Sequence, residues 1–165
     1  MKQKFVLVVL MFVCVFSYAQ NVNVISKDDI NSCKINNVAL SEIKSTNGKQ
    51  SKVESLLGAA TSFENNGFYY YFKFNGLKLD FSTSKSKPFI ESFVILSNES
   101  NLTIKGITVT IGDSIDKLGT VSFSTGRNGN KSILFAECEE CDVFINIDFD
   151  QTTKVITKIN YFDMS

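Results

Sequence analysis

Two cysteines separated by two residues, Cys138 and Cys141, sit within a run of carboxylates formed by Glu137, Glu139, Glu140 and Asp142. A Cys-x-x-Cys pair can close a disulfide, exchange one, or offer two thiolates to a metal. Redox exchange works best at a helix N-terminus, where the dipole lowers a thiol pKa, whereas neighbouring carboxylates raise it. A structural zinc site asks for four nitrogen or sulfur ligands. The chain has no histidine and, apart from Cys14 near its start, only Cys33 as a further cysteine. The favoured reading is a structural disulfide pinning an enlarged turn. Reduced thiols, a metal-ligand pair and a redox centre are the alternatives. The carboxylates around the pair, with Asp148 and Asp150 nearby, lack the ordered spacing about a glycine that a calcium loop has. A solvated acidic tip is therefore expected, with no metal and no cofactor.

The absence of histidine also removes every Ser-His or Cys-His arrangement for nucleophilic catalysis. Two carboxylates brought together from distant positions could still cleave a glycosidic bond, and no spacing singles out such a pair. Aromatic residues offer a different chemistry. Phe68, Tyr70, Phe72 and Phe74 alternate with Tyr69, Tyr71 and Lys73, so a strand here turns Tyr69 and Tyr71 to the face opposite the core. Phe144 holds the corresponding outward phase in the second half of the chain. Exposed aromatics grouped on a sheet face suit protein recognition, because tyrosine brings a large contact area at low entropy cost. Tyr69, Tyr71 and Phe144 are thus the candidate binding residues.

The elements that must carry these residues are written twice. Leu77, Leu79, Phe81, Phe89, Ile90, Phe93 and Ile95 recur 66 positions later as Val143, Ile145, Ile147, Val155, Ile156, Ile159 and Tyr161. Val53, Glu54 and Leu56 recur 62 positions later as Ile115, Asp116 and Leu118. Shared order and spacing point to two copies of one αβ unit. In the first copy a short helix ends at Gly58, as a C′ glycine would end it, and Asn75-Gly76 predicts a two-residue type I′ hairpin. That turn sets Phe74 against Leu77, Phe72 against Leu79 and Tyr70 against Phe81. In the second copy Asp113 or Ser114 caps a helix that stops at Gly119, and three added residues convert the Asn-Gly turn into the cysteine-bearing acidic loop. Between residues 20 and 50 the pattern is weak: Asp28 is the expected cap of a short helix running to about Cys33.

The first 19 residues read as a secretory signal peptide. Lys2 and Lys4 precede an apolar run over residues 5–16, and Ser17-Tyr18-Ala19 places small residues before a cleavage point at Gln20. The apolar run is short of the roughly 20 residues a membrane span requires, and Val13 before Cys14 is too large for a lipid-acceptor box. Cleavage after Ala19 leaves about 146 residues, a periplasmic or secreted protein with no membrane span. Lys plus Arg equals Asp plus Glu at 17 each, which argues against nucleic acid as a partner.

The helix-to-glycine segments Val53-Glu54-Ser55-Leu56-Leu57-Gly58 and Ile111-Gly112-Asp113-Ser114-Ile115-Asp116-Lys117-Leu118-Gly119, doubled in an exported chain, resemble the β-lactamase inhibitor protein fold. They are also similar to the small outer-membrane lipoproteins of the SmpA/OmlA type. The signal sequence and the Ile/Asn/Lys/Phe-rich composition resemble exported proteins of Bacteroidetes-type bacteria. The resemblance implies paired sheets whose curved surface binds another protein, and hence a non-enzymatic binder.

The expected fold is α+β: two tandem units, each a short helix with a four-stranded antiparallel sheet, the helices on one sheet face. The expected organisation is a signal peptide at 1–19, an N-terminal segment at 20–50, repeat units at 51–97 and 107–165, and a linker at 98–106. The expected function is binding of a protein or cell-envelope component. A carboxylate-dependent envelope enzyme and a purely structural envelope protein are the competing readings.

Overall fold

The computed structural model describes residues 21–126 and 129–165; the signal-peptide reading of residues 1–19 lies outside them. The chain opens with β1 (Asn23–Val24), α1 (Lys27–Ser32), β2 (Lys34–Ile35), β3 (Val38–Ala39), α2 (Leu40–Ser45) and α3 (Gln50–Leu57). A four-stranded meander follows: β4 (Ser62–Asn65), β5 (Tyr69–Phe74), β6 (Leu77–Ser82) and β7 (Phe89–Ile95). The hairpin β8 (Asn101–Ile104) and β9 (Ile107–Thr110) leads to a 3₁₀ turn at Ile115–Leu118. The chain continues through β10 (Ser124–Thr125), β11 (Lys131–Ala136), β12 (Val143–Phe149) and β13 (Ile156–Asp163).

The fold is α+β, but the expected pair of four-stranded units is corrected. The strands of both halves join in one nine-stranded sheet in the order β1-β11-β12-β13-β7-β6-β5-β4, with β10 on the same edge of β11 as β1. β1 runs parallel to β11, so the sheet is mixed. A separate four-stranded sheet has the order β3-β2-β8-β9. It takes in part of the expected linker at 98–106: Asn101–Ile104 is a strand whose Leu102 and Ile104 alternate inward and are buried.

The inner face of the large sheet is built by period-two alternation. Leu77, Leu79 and Phe81 of β6, Phe93 and Ile95 of β7, Ile145 and Ile147 of β12, and Ile159 and Tyr161 of β13 are all buried. Ile35, Leu102, Ile104 and Val109 of the small sheet belong to the same core. The segment joining α2 to α3 lies against this face. Gly48, at φ 66°, comes so close to Phe81 that a Cβ there would stand 3.1 Å from its Cγ. Phe68 was expected to extend the inward series, yet it precedes the first paired residue of β5 and is 76% exposed.

Local sequence sets most element ends. α1 begins with a capping box: Ser26 Oγ accepts from the Asp29 amide at 3.0 Å, and the Asp29 carboxylate accepts from the Ser26 amide at 3.2 Å. The expected cap at Asp28 is therefore displaced by two residues, because the reciprocal pair satisfies two orphan amides where one carboxylate satisfies one. Ser114 caps the 3₁₀ turn and Gly119 ends it, as the sequence predicts.

The β5–β6 hairpin has the expected register, with Phe74 against Leu77, Phe72 against Leu79 and Tyr70 against Phe81. Its turn is not type I′, which requires positive φ at both central residues: Gly76 has φ 71° and Asn75 is not in that region. Residues 96–100 pack onto the turn and explain the difference. Ser100 Oγ donates to the Asn75 carbonyl at 2.8 Å, the Leu96 amide donates to the Gly76 carbonyl at 2.8 Å, and Ser97 Oγ lies where a Gly76 Cβ would stand. Gly76→Ala should therefore cost about 1–3 kcal/mol in urea unfolding. Gly106→Ala, at φ 79° with nothing within 4 Å of its missing Cβ, should lose less.

Candidate functional site

The face of the large sheet turned away from α2 carries the aromatic residues singled out in the sequence. Strand pairing places Tyr71, Asp80, Ser92, Phe162, Phe144 and Ala136 opposite one another on successive strands. Tyr71 and Phe144 thus share one row, four strand steps or about 19 Å apart. Tyr69 lies two residues from Tyr71 on β5, and their rings stack at 5.5 Å with an interplanar angle of 20°. Phe144 packs on Phe162 at 5.3 Å. All four rings are half-buried, so each keeps area for a partner. Sequence reasoning missed Phe162. The signal was present, since alternation on β13 sends it outward once Tyr161 is assigned to the core.

Between the two aromatic pairs lies a polar belt. Ser92 Oγ donates to Asp80 at 2.9 Å. Asn146 Nδ2 donates to Asp148 at 2.8 Å, and Asn160 Nδ2 donates to the other Asp148 oxygen at 3.3 Å. With its nitrogen committed, Asn160 leaves Oδ1 buried and without a partner among the described residues. Glu91 Oε2 is in the same condition. A buried acceptor without a donor costs about 1–3 kcal/mol. Lys73 and Lys78, both exposed, stand directly opposite each other on β5 and β6 and add two ammonium donors at its edge.

Glu91 reaches this face through a bulge. The β6–β7 register passes from Asp80 opposite Ser92 to Phe81 opposite Ile90, leaving Glu91 as the extra residue. Bulges re-aim side chains beside sites, and here the carboxylate meets Tyr69. Its hydrogen bond and negative charge are the leading causes that push the Tyr69 phenol above its ordinary pKa.

The acidic tip behaves as the structural reading of its cysteines requires. Cys138 and Cys141 form a disulfide, with Cα atoms 5.2 Å apart. Among the described residues Cys33 is the free thiol, 2% exposed, its Sγ donating to the Asp29 carbonyl at 3.2 Å. Burial, reinforced by the Asp29 charge, raises its pKa from 9.0 to about 12. No group of three or more metal-ligating side chains occurs among the described residues, and none of their helices is long and apolar enough to cross a membrane.

No protein-family model matches the chain, and no curated protein matches it. Among solved structures, an extracellular protein containing an SCP domain from Bacillus anthracis is similar at 14% identity and a TM-score of 0.45. That match covers 76% of this chain and 45% of the other. A cysteine-rich secretory protein from Staphylococcus aureus is similar at 15% identity and a TM-score of 0.39, covering 71% of this chain and 44% of that one. The chain spans less than half the length of either. The expected likeness to the β-lactamase inhibitor protein fold and to SmpA/OmlA-type lipoproteins is corrected: the strands of both halves form one nine-stranded mixed sheet rather than paired four-stranded units, and the solved structures similar to this chain are an SCP-domain protein and a cysteine-rich secretory protein. Short helix-to-glycine segments misled the reading, because a helix stop is a local event that many folds share.

Thiol counting on the denatured, non-reduced chain from residue 20 onward should find one thiol, that of Cys33; three would refute the disulfide. Reduction should cost no more than about 2 kcal/mol, because the closed loop is so short. For Cys33 the folded pKa is raised, so its contribution to stability is complete below pH 9.0 and is lost as pH rises towards about 12. Urea unfolding at pH 8 and pH 10.5 should show a smaller alkaline loss in Cys33→Ala than in the wild type.

Proposed function

We propose that this chain is an exported, non-enzymatic module that binds a protein or another cell-envelope component through the outer face of its large sheet. One observation carries the reading: Tyr71, Phe162 and Phe144 share a single row across one face of the sheet, and all three rings are half-buried. Half-buried aromatics supply apolar contact area on this face. Export is supported by the leader-like residues 1–19, with cleavage after Ala19, and by a disulfide that persists in an oxidising compartment such as the periplasm or the cell exterior.

The two halves are best understood as copies of one unit. Val94 pairs with Asn160, the residue 66 positions later, across the seam between β7 and β13. The extra residue of the β6–β7 bulge, Glu91, is likewise 66 positions before Thr157, the residue skipped between Lys158 and Ile156 in the β12–β13 register. The copies differ where the proposed site lies: Glu91 against Thr157, and a tight turn against a disulfide-closed loop. Duplicated units that diverge at one face are a natural route to a one-sided binding surface.

The immobilised chain from residue 20 onward should capture its partner from envelope extract, and Tyr69→Ala/Tyr71→Ala should reduce capture by tenfold or more with an unchanged circular dichroism spectrum. Phe144→Ser should weaken capture as well. Undiminished capture by the double tyrosine variant would remove this face as the binding surface.

A further inference from the structure

A recess on the helix side of the sheet carries a second, independent inference. It has a volume of about 400 Å³ and lies between α1 and α2 on one side and the β11–β12 loop on the other. That volume falls within the range of small-molecule sites, about 300–1,000 Å³. One wall presents Lys27 of α1 and Lys44 of α2, and the other presents Glu137, Glu140 and Asp142. Among the described residues no ion pair joins the two walls; the ion pair at the recess is Lys44 with Asp163 of β13, at 3.7 Å.

Both walls are held in place. Lys44 Nζ donates to Asn31 Oδ1 at 3.2 Å and lies 5.3 Å from the centre of the Tyr161 ring. The Asp163 oxygen that faces Lys44 also accepts the Tyr161 hydroxyl, at 3.1 Å, so its charge is shared. Burial depresses the Lys44 pKa and outweighs the opposing effect of Asp163, which leaves the ammonium under-compensated. On the acidic side the Cys138–Cys141 bond closes the loop, and the Met164 amide donates to the Asp142 carbonyl at 3.0 Å.

We infer that this recess binds a small zwitterion of amino-acid or dipeptide size, its carboxylate held by Lys44 and Lys27 and its ammonium by Glu137, Glu140 and Asp142. A simple anion would meet the acidic wall and a simple cation the two lysines; a molecule carrying both charges satisfies both. Charge-assisted hydrogen bonds at each end would set its orientation.

Calorimetric titration of the chain from residue 20 onward with dialanine at low ionic strength tests this. Saturable binding is expected, weakened at least about tenfold by N-acetylation or by C-terminal amidation of the peptide. Lys44→Met should remove the difference between dialanine and its C-amide, and Glu137→Gln/Glu140→Gln the difference between dialanine and its N-acetyl form. Should Lys44→Met fail to fold, the exposed Lys27→Met variant carries the same test, with a several-fold loss expected. Equal binding of capped and uncapped peptide, or no binding up to about 10 mM, overturns the inference. Tyr69→Ala/Tyr71→Ala should bind dialanine as the wild type does, which separates this site from the sheet-face proposal.

Discussion

The seam between β7 and β13 is the interaction on which the rest of the structure depends. Ile95 faces Ile159 and Phe93 faces Tyr161, all four are buried, and the Phe93 and Tyr161 rings stack at 5.2 Å. Without this pairing each half would expose an edge strand and half a core. With it, one apolar face runs across both halves and a single layer of helices and small sheet suffices to cover it. A one-residue slip would turn every inward side chain outward, so the seam is pinned by the same alternation that built the strands.

The seam also composes the outer face. Ser92 stands opposite Phe162 because Phe93 stands opposite Tyr161, and this brings Tyr71 of one half into the row of Phe162 and Phe144 of the other. The two faces then have different fates. The inner one is filled by α2, the Gly48 approach and the small sheet. The outer one retains aromatic area, a belt of hydrogen-bonded amides and carboxylates, and two buried oxygens without donors among the described residues. Polar groups left in that condition are costly in a sheet that serves stability alone.

Sequence reasoning reached the parts of the fold that rest on short-range rules. Alternation in 69–74 and 77–82 determined the hairpin register, and Ser114 with Gly119 bounded the 3₁₀ turn. It also placed Tyr69, Tyr71 and Phe144 outward and paired the two tip cysteines. It failed where distant chain decides. The turn at Asn75-Gly76 departs from type I′ because residues 96–100, at the far end of β7, press on it. Within 98–106, Asn101–Ile104 is a strand with β9 on one edge and, from far back in the chain, β2 on the other. β1 attaches to β11 more than 100 residues away, and nothing local in Asn23-Val24 announces a parallel partner.

By itself, then, the amino-acid order determined which side chains face the core, where helices begin and end, and that no histidine-based chemistry is present. Those outcomes follow from periods of two and from caps, which act over a few residues. Tertiary structure decided that the halves merge into one sheet, that Phe162 joins Phe144, that Glu91 meets Tyr69 through a bulge, and that Lys44 faces the acidic tip across a recess. These are meetings between residues far apart in the chain, and their distances are set by packing, which no local period encodes.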